Sequence, residues 1–174
     1  MTPEPDRPGR LRRPVRRGRT AGVLSASLLA AALLAGCGRH EFADRTAQVD
    51  LDGRVTTFDL DDCGLDGSTV YVVGQSSGGG VLQAVLGVAA DESTGVPRSS
   101  GLTFGVEGQP WAAFGAESWT RRGESGPAPG TITSARLRGS RIQLAGEVVA
   151  VDDEDHPTTP ARRVPFSLDA RCDR

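Results

Sequence analysis

What most restricts the folds open to this 174-residue chain is a series of short apolar runs, separated by residues that accept positive backbone φ. Ala47–Leu51 is followed by Asp52-Gly53 and then by Arg54–Leu60. An Asp-Gly pair between two such runs predicts a hairpin on a type I′ turn. Gly139-Ser140 stands at the corner between Thr131–Arg138 and Arg141–Val151, which predicts a type II′ hairpin. Ser68–Gly74 is rich in β-branched and aromatic residues and reads as a largely buried strand, broken afterwards by Gly78-Gly79-Gly80. Residues 164–172 give the clearest period of two, with Val164, Phe166, Leu168 and Ala170 inward and Ser167, Asp169 and Arg171 outward.

The segment VLQAVLGVAA, residues 81–90, fits two periodicities. Leu82, Val85, Leu86 and Ala89 fall on a helical stripe, whereas the β-branched residues and flanking glycines favour a strand, the reading adopted here. Further strands are expected at Gly101–Val106 and, with an interruption, at Trp111–Arg121. Glu124–Gly130, ESGPAPG, reads as an exposed loop. The expectation is a mainly β fold, a small antiparallel sandwich or barrel-like domain of about eight strands. With few aromatic residues its core must be built chiefly from Val, Leu, Ile and Ala, and a covalent staple would help a core so thin.

The N-terminus is of another kind. Seven arginines fall within the first twenty residues, and Ala21–Gly36 follows without a charge. Basic, then apolar, then small is the order of a secretory signal. An uncleaved anchor fits less well, because sixteen residues fall short of the roughly 20 that a spanning helix needs. Leu34-Ala35-Gly36-Cys37 resembles the lipobox of bacterial lipoproteins. That resemblance implies a cleaved signal peptide over residues 1–36, acylation of Cys37 with palmitate the expected chain, and a lipidated tether over residues 37–46 carrying a β-rich domain over residues 47–174. Two or more acyl chains make a stable anchor where one would be marginal. Arg12-Arg13 and Arg16-Arg17 leave the choice between general and twin-arginine export open.

Removal of residues 1–36 changes the charge. Thirteen arginines against twenty acids remain, a formal net charge of about −7. That acidity argues against a nucleic-acid partner and against recognition of anionic lipid heads by a polybasic segment. It leaves the membrane, reached through Cys37, as the expected partner, with an envelope lipid, glycan or protein as the ligand. The tether GRHEFADRT, residues 38–46, reaches about 30 Å at full extension.

Three cysteines are an odd number for an exported chain. With Cys37 lipidated, Cys63 and Cys172 remain as an even pair in a compartment where disulfides persist, and two free thiols are the alternative. Closing a loop of that length is worth about 4.7 kcal/mol in the chain-entropy treatment.

Gly74-Gln75-Ser76-Ser77-Gly78 matches the GxSxG nucleophile elbow, with acids and His156 later in the chain, and a serine hydrolase using Ser76 is the enzymatic alternative. Too little chain precedes Ser76 for the strands and oxyanion loop that such a fold requires, and triglycine resembles a turn more than a helix start. Asp59, Asp61 and Asp62 form one acidic cluster, and Asp152, Asp153, Glu154 and Asp155 another. Neither has EF-hand spacing, and both read as solvated segments. His40 lies in the tether and His156 in a loop, so the two histidines are not in sequence position to build a zinc or catalytic site. No metal, cofactor or catalytic residue is expected. Trp111 and Trp119 can line a ligand groove, but on adjacent strands they read first as core.

Lipobox, tether, Asp52-Gly53, Cys63, the strand Val70–Val73 and the closing IQLAGEVVAVDDEDHPTTPARRVPFSLDARC follow one another in an order that resembles the mycobacterial lipoprotein antigen family of the nineteen-kilodalton type. The resemblance implies a small β-rich surface domain acylated at Cys37, with Cys63 bonded to Cys172 and without established catalytic activity. Members of that family are associated with immune recognition and surface adhesion. This chain departs from it in lacking the long Thr/Ser/Ala-rich tether that carries glycans. The expected function is that of a membrane-anchored, extracytoplasmic, non-enzymatic binding domain of the cell envelope.

Overall fold

The computed structural model describes residues 44–89, 94–158 and 161–172. The expectations for residues 1–36, for Cys37 and for His40 fall outside the described residues. Among the described residues nine strands form one antiparallel sheet: β1 (Thr46–Leu51), β2 (Arg54–Asp66), β3 (Thr69–Gln75), β4 (Val81–Val88), β5 (Gly95–Val106), β6 (Gln109–Phe114), β7 (Thr131–Arg138), β8 (Arg141–Ala150) and β9 (Arg163–Arg171). Among the described residues there is one helix, α1 (Ala116–Arg121), between β6 and β7. The strands run β6-β5-β4-β3-β2-β1-β9-β8-β7, and a further β6–β8 pairing closes eight of them into a barrel, with β7 as the extra strand.

The turns carry out the predicted chemistry. Asp52 and Gly53 have φ of 53° and 81°, and Leu51 pairs with Arg54, as a type I′ hairpin requires. Gly139 has φ 58° and Arg138 pairs with Arg141, the two-residue corner expected there. A second hairpin with positive φ at both corner residues was not anticipated. Glu107 and Gly108 have φ of 53° and 80° and join Val106 to Gln109, so β6 begins before Trp111.

Residues 81–88 are a strand, with Leu82, Ala84 and Leu86 buried in alternation. Two expectations need correction. β2 continues past Leu60 to Asp66 through a bulge between Leu60 and Asp62, so Cys63 lies within the strand. The stretch expected as one interrupted strand, Trp111–Arg121, is β6 followed by α1, which puts Trp119 on a helix. Gly115 stands in extended geometry at the helix N-cap, with Glu117 in the first turn and Arg121 in the last, both suited to the helix dipole. A six-residue helix is not stable by propensity, and this one is held by burial of Trp119.

The interior is one contiguous apolar cluster that includes Phe58, Leu82, Leu86, Leu102, Phe104, Ile142, Leu144 and Leu168, all almost fully inaccessible. Each such side chain contributes about 1.5–3 kcal/mol relative to exposure. Four of the five phenylalanines, Phe58, Phe104, Phe114 and Phe166, are buried, so the scarce aromatic residues sit where they count. On β5, Pro97–Ser100 loop out of register between Gly87↔Val96 and Val85↔Gly101. Fully buried Ser100 secures that irregularity, its Oγ donating to the Val96 carbonyl at 2.8 Å and accepting from the Gly87 N–H at 3.1 Å. Outside the barrel wall, Ala112, Phe114, Trp119, Val149 and Val151 form a second cluster over the β6–β8 seam.

Candidate functional site

The register assigns the loops to two ends. Thr46, where the chain enters the barrel, pairs with Arg171 at the finish of β9. Leu51 closes β1 at the opposite end, beside the Asp52-Gly53 and Glu107-Gly108 hairpins and the start of β9. At this second end the barrel has an open mouth, a depression of about 360 Å³. Leu51, Val106, Trp111 and Val164 form its apolar lining, and Asp52, Arg54, Glu107 and Arg162 stand around it.

Alternation explains why these side chains converge. Phe104 and Ala113 belong to the interior cluster, so Val106 and Trp111, two residues away along their strands, point the same way and are only partly covered at the barrel end. The rim is loosely tied. Arg54 Nη1 lies 3.9 Å from Glu107 Oε2, and Arg162 Nη2 lies 3.7 Å from Asp52 Oδ2, with all four side chains mostly exposed. Exposed pairs of this kind contribute at most about 1 kcal/mol, so the rim yields readily. The wall behind it is firmer: Gln109 Nε2 donates to the carbonyls of Pro110 at 2.9 Å and Val151 at 3.2 Å.

Ser76 stands elsewhere, in the β3–β4 hairpin loop. Its N–H donates to the Gly80 carbonyl at 2.8 Å, and its Oγ accepts from the Gly80 N–H at 2.9 Å. The chain runs strand, turn, strand at this point, where a nucleophile elbow needs strand, turn, helix. The triglycine has a packing reason, since a Cβ on Gly80 would sit 2.0 Å from the Gly105 carbonyl oxygen.

The acidic run of the β8–β9 loop is internally occupied. Asp152 Oδ1 accepts from the N–H groups of His156 at 2.9 Å and Glu154 at 3.0 Å. The hydrogen bond from His156 is the main reason its carboxyl titrates below the usual carboxylate range. Asp155 pairs with Arg122, whose guanidinium lies 4.9 Å above the Phe114 ring. Together with the Gly78–Gly80 turn, Asp152, Asp153 and Asp155 border a shallow groove of about 500 Å³. His156 Nδ1 is 3.5 Å from Glu154 Oε2. Asp59, Asp61 and Asp62 lie along β2, with Asp59 and Asp62 opposite Gln75 and Val73 on β3. Among the described residues no three His, Cys, Asp or Glu side chains are grouped to hold a metal ion.

The fold brings Cys63 and Cys172 together at disulfide distance, Cα–Cα 5.7 Å across 109 residues of chain, and the two are bonded. The two tryptophans part company. Trp119 is core, its ring centroid 5.2 Å from that of Phe114 and its Nε1 buried without a hydrogen-bond acceptor among the described residues. Trp111 is the large aromatic of the mouth, and sequence reasoning grouped it with Trp119. The signal that separates them is the Glu107-Gly108 corner three residues before Trp111, which puts that residue beside a hairpin end. No known protein-family model and no curated protein matches the chain.

Proposed function

We propose that this protein is a lipid-anchored lipoprotein of the cell envelope, extracytoplasmic and non-enzymatic, related to the nineteen-kilodalton lipoprotein antigens. On this reading residues 1–36 are removed, Cys37 carries the acyl chains, and the barrel presents its mouth to an amphipathic envelope molecule such as a lipid or a glycolipid. The observation that carries the binding reading is Trp111, partly exposed among Leu51, Val106 and Val164 and ringed by two acids and two arginines. Apolar walls with a few polar groups at the edge are the usual make-up of a small-molecule site, and barrel mouths are one of their usual places. The volume falls within the customary range of about 300–1,000 Å³ for such sites. Position supports it as well, because the mouth opens at the barrel end opposite Thr46, where the tether enters.

The internal hydrogen bonds of Ser76 and the hairpin that holds it argue for binding without turnover. The test is solvent extraction of the natively produced protein, with mass spectrometry of the extract and of the N-terminal peptide. A co-purifying lipid or glycolipid that is lost in a Trp111→Ala variant is the expected result. A mature N-terminus with unmodified Cys37 would overturn the anchor, and ligand retained in full by Trp111→Ala would overturn the site.

A further inference from the structure

The mature chain is acidic, yet its charge is not evenly spread. Cross-strand register places Arg138, Arg141 and Arg171 side by side on the outer surface of β7, β8 and β9, with Arg136 one outward row above. Their inward neighbours Leu137, Ile142 and Ala170 fix the facing. Asp169 takes two hydrogen bonds from Arg141 and one from Gln143, and Asp44 takes one ion pair from Arg171 at 2.9 Å. Arg136 and Arg138 are exposed and make no ion pair among the described residues. This basic sector lies at the end where the chain enters, since Arg171 pairs with Thr46. The neighbouring β2 sector of the same end carries Asp59, Asp61, Asp62 and Asp66, and the four-acid run 152–155 belongs to the opposite end.

We infer that the β7–β9 arginine face rests on the anionic headgroups of the membrane that anchors the chain. The inference depends on Cys37 as the anchor, because only eight residues then separate Cys37 from Thr46. That tether, about 30 Å at its longest, keeps the entry end of the barrel near the bilayer. Anionic surfaces attract nearby Arg by about five-fold in partitioning per residue, within a Debye length of roughly 8–10 Å, and repel the carboxylates of β2. Arginine forks also match phosphate in two-point geometry. The domain therefore leans onto β7–β9 and lifts β2 away. The overall acidity, which argues against lipid-head recognition, averages over two sectors of opposite sign.

The test reconstitutes the full chain into nanodiscs of phosphatidylcholine, with or without one-third phosphatidylglycerol, doped with a gadolinium-chelate lipid. Relaxation of backbone amides is read at Arg138–Arg141, at Gly67–Ser68 and at Asp52–Gly53. Phosphatidylglycerol is expected to enhance relaxation at Arg138–Arg141 alone. The Arg136→Gln/Arg138→Gln variant should abolish that increment while leaving chemical shifts of the interior unchanged, because it lowers the equilibrium constant for leaning by roughly 25-fold. Enhancement independent of lipid charge, an unaltered double variant, or enhancement at Gly67–Ser68 would each overturn the inference. Co-elution of chain and disc, with the mass of the N-terminal peptide, reports the anchor separately. If Cys37 proves unmodified, the same relaxation pattern is sought with chain added to phosphatidylglycerol vesicles, and its absence there counts against the arginine face.

Discussion

Replacing both Cys63 and Cys172 by serine tests what the cross-link does. The bridge spans 109 residues, which the chain-entropy relation converts to about 4.8 kcal/mol of unfolded-state restriction at 25 °C. The native state has little reason to change. β9 remains paired with β1 from Leu51↔Phe166 to Thr46↔Arg171, and with β8 from Val149↔Arg163 to Arg141↔Arg171. The loss should therefore arise in the unfolded ensemble, and two observables follow. The double variant should melt roughly 15–30 °C lower, taking about 3–6 °C per kcal/mol for a domain of this length. Its urea m-value should rise, because an uncross-linked unfolded chain exposes more surface. Paired urea and thermal unfolding of oxidised wild type, reduced wild type and the double variant decide the matter. A destabilisation under about 1 kcal/mol, or a large one with an unchanged m-value and altered native amide shifts, would refute the reasoning. The second outcome would place the effect in the folded state.

Three further outcomes are expected. Ser100→Ala leaves the Gly87 N–H and the Val96 carbonyl without their buried partner and should cost about 1–3 kcal/mol in urea unfolding. Gly80→Ala should cost a similar 1–3 kcal/mol through collision with the Gly105 carbonyl, whereas Gly79→Ala, at φ 81° with open space, should cost only about 1 kcal/mol, and denaturation midpoints will order the two. Asp152, whose folded carboxyl is held below the usual range chiefly by the His156 N–H, stabilises the β8–β9 turn above the unfolded carboxylate pKa. That contribution is lost as pH falls through the lowered folded value, so the protection of the Glu154 and His156 amides, relative to their intrinsic exchange rates at each pH, should fall in acid, and Asp152→Asn should remove that pH dependence.

Much of the barrel is legible because its determinants are local. Asp52-Gly53 and Gly139-Ser140 set two hairpins by corner chemistry alone, and the alternation Val164, Phe166, Leu168, Ala170 identifies the inward face of β9 without knowledge of its neighbours. The helix α1 was not legible. AESWTR carries no strong helix signal, and this six-residue helix exists because Trp119 finds Phe114 and Val149 across the seam, a contact that periodicity cannot report. The mouth was hidden for a related reason. Trp111 and Trp119 are chemically alike and close in sequence, and it takes the register of β6 to send Trp111 to the barrel end and the turn into α1 to carry Trp119 to the outer cluster.

The closure of the barrel connects these two misses. β8 gives one edge wholly to β9 and divides the other, with Arg141–Glu147 facing β7 and only Val149 and Ala150 facing β6. The β6–β8 seam thus rests on two residue pairs, against six for β1–β9. Side chains make up the difference from outside: Phe114, Trp119, Val149 and Val151 pack over the seam, and Arg122 ties α1 to the β8–β9 loop through Phe114 and Asp155. Trp111, paired with Ala150, is itself one of the two seam residues on β6, so the mouth lies beside the stretch of wall that opens with the fewest broken ladder bonds. On the binding reading proposed above, a ligand larger than the static 360 Å³ would have to part Arg54 from Glu107 and strain this seam, while Cys63–Cys172 ties the opposite end.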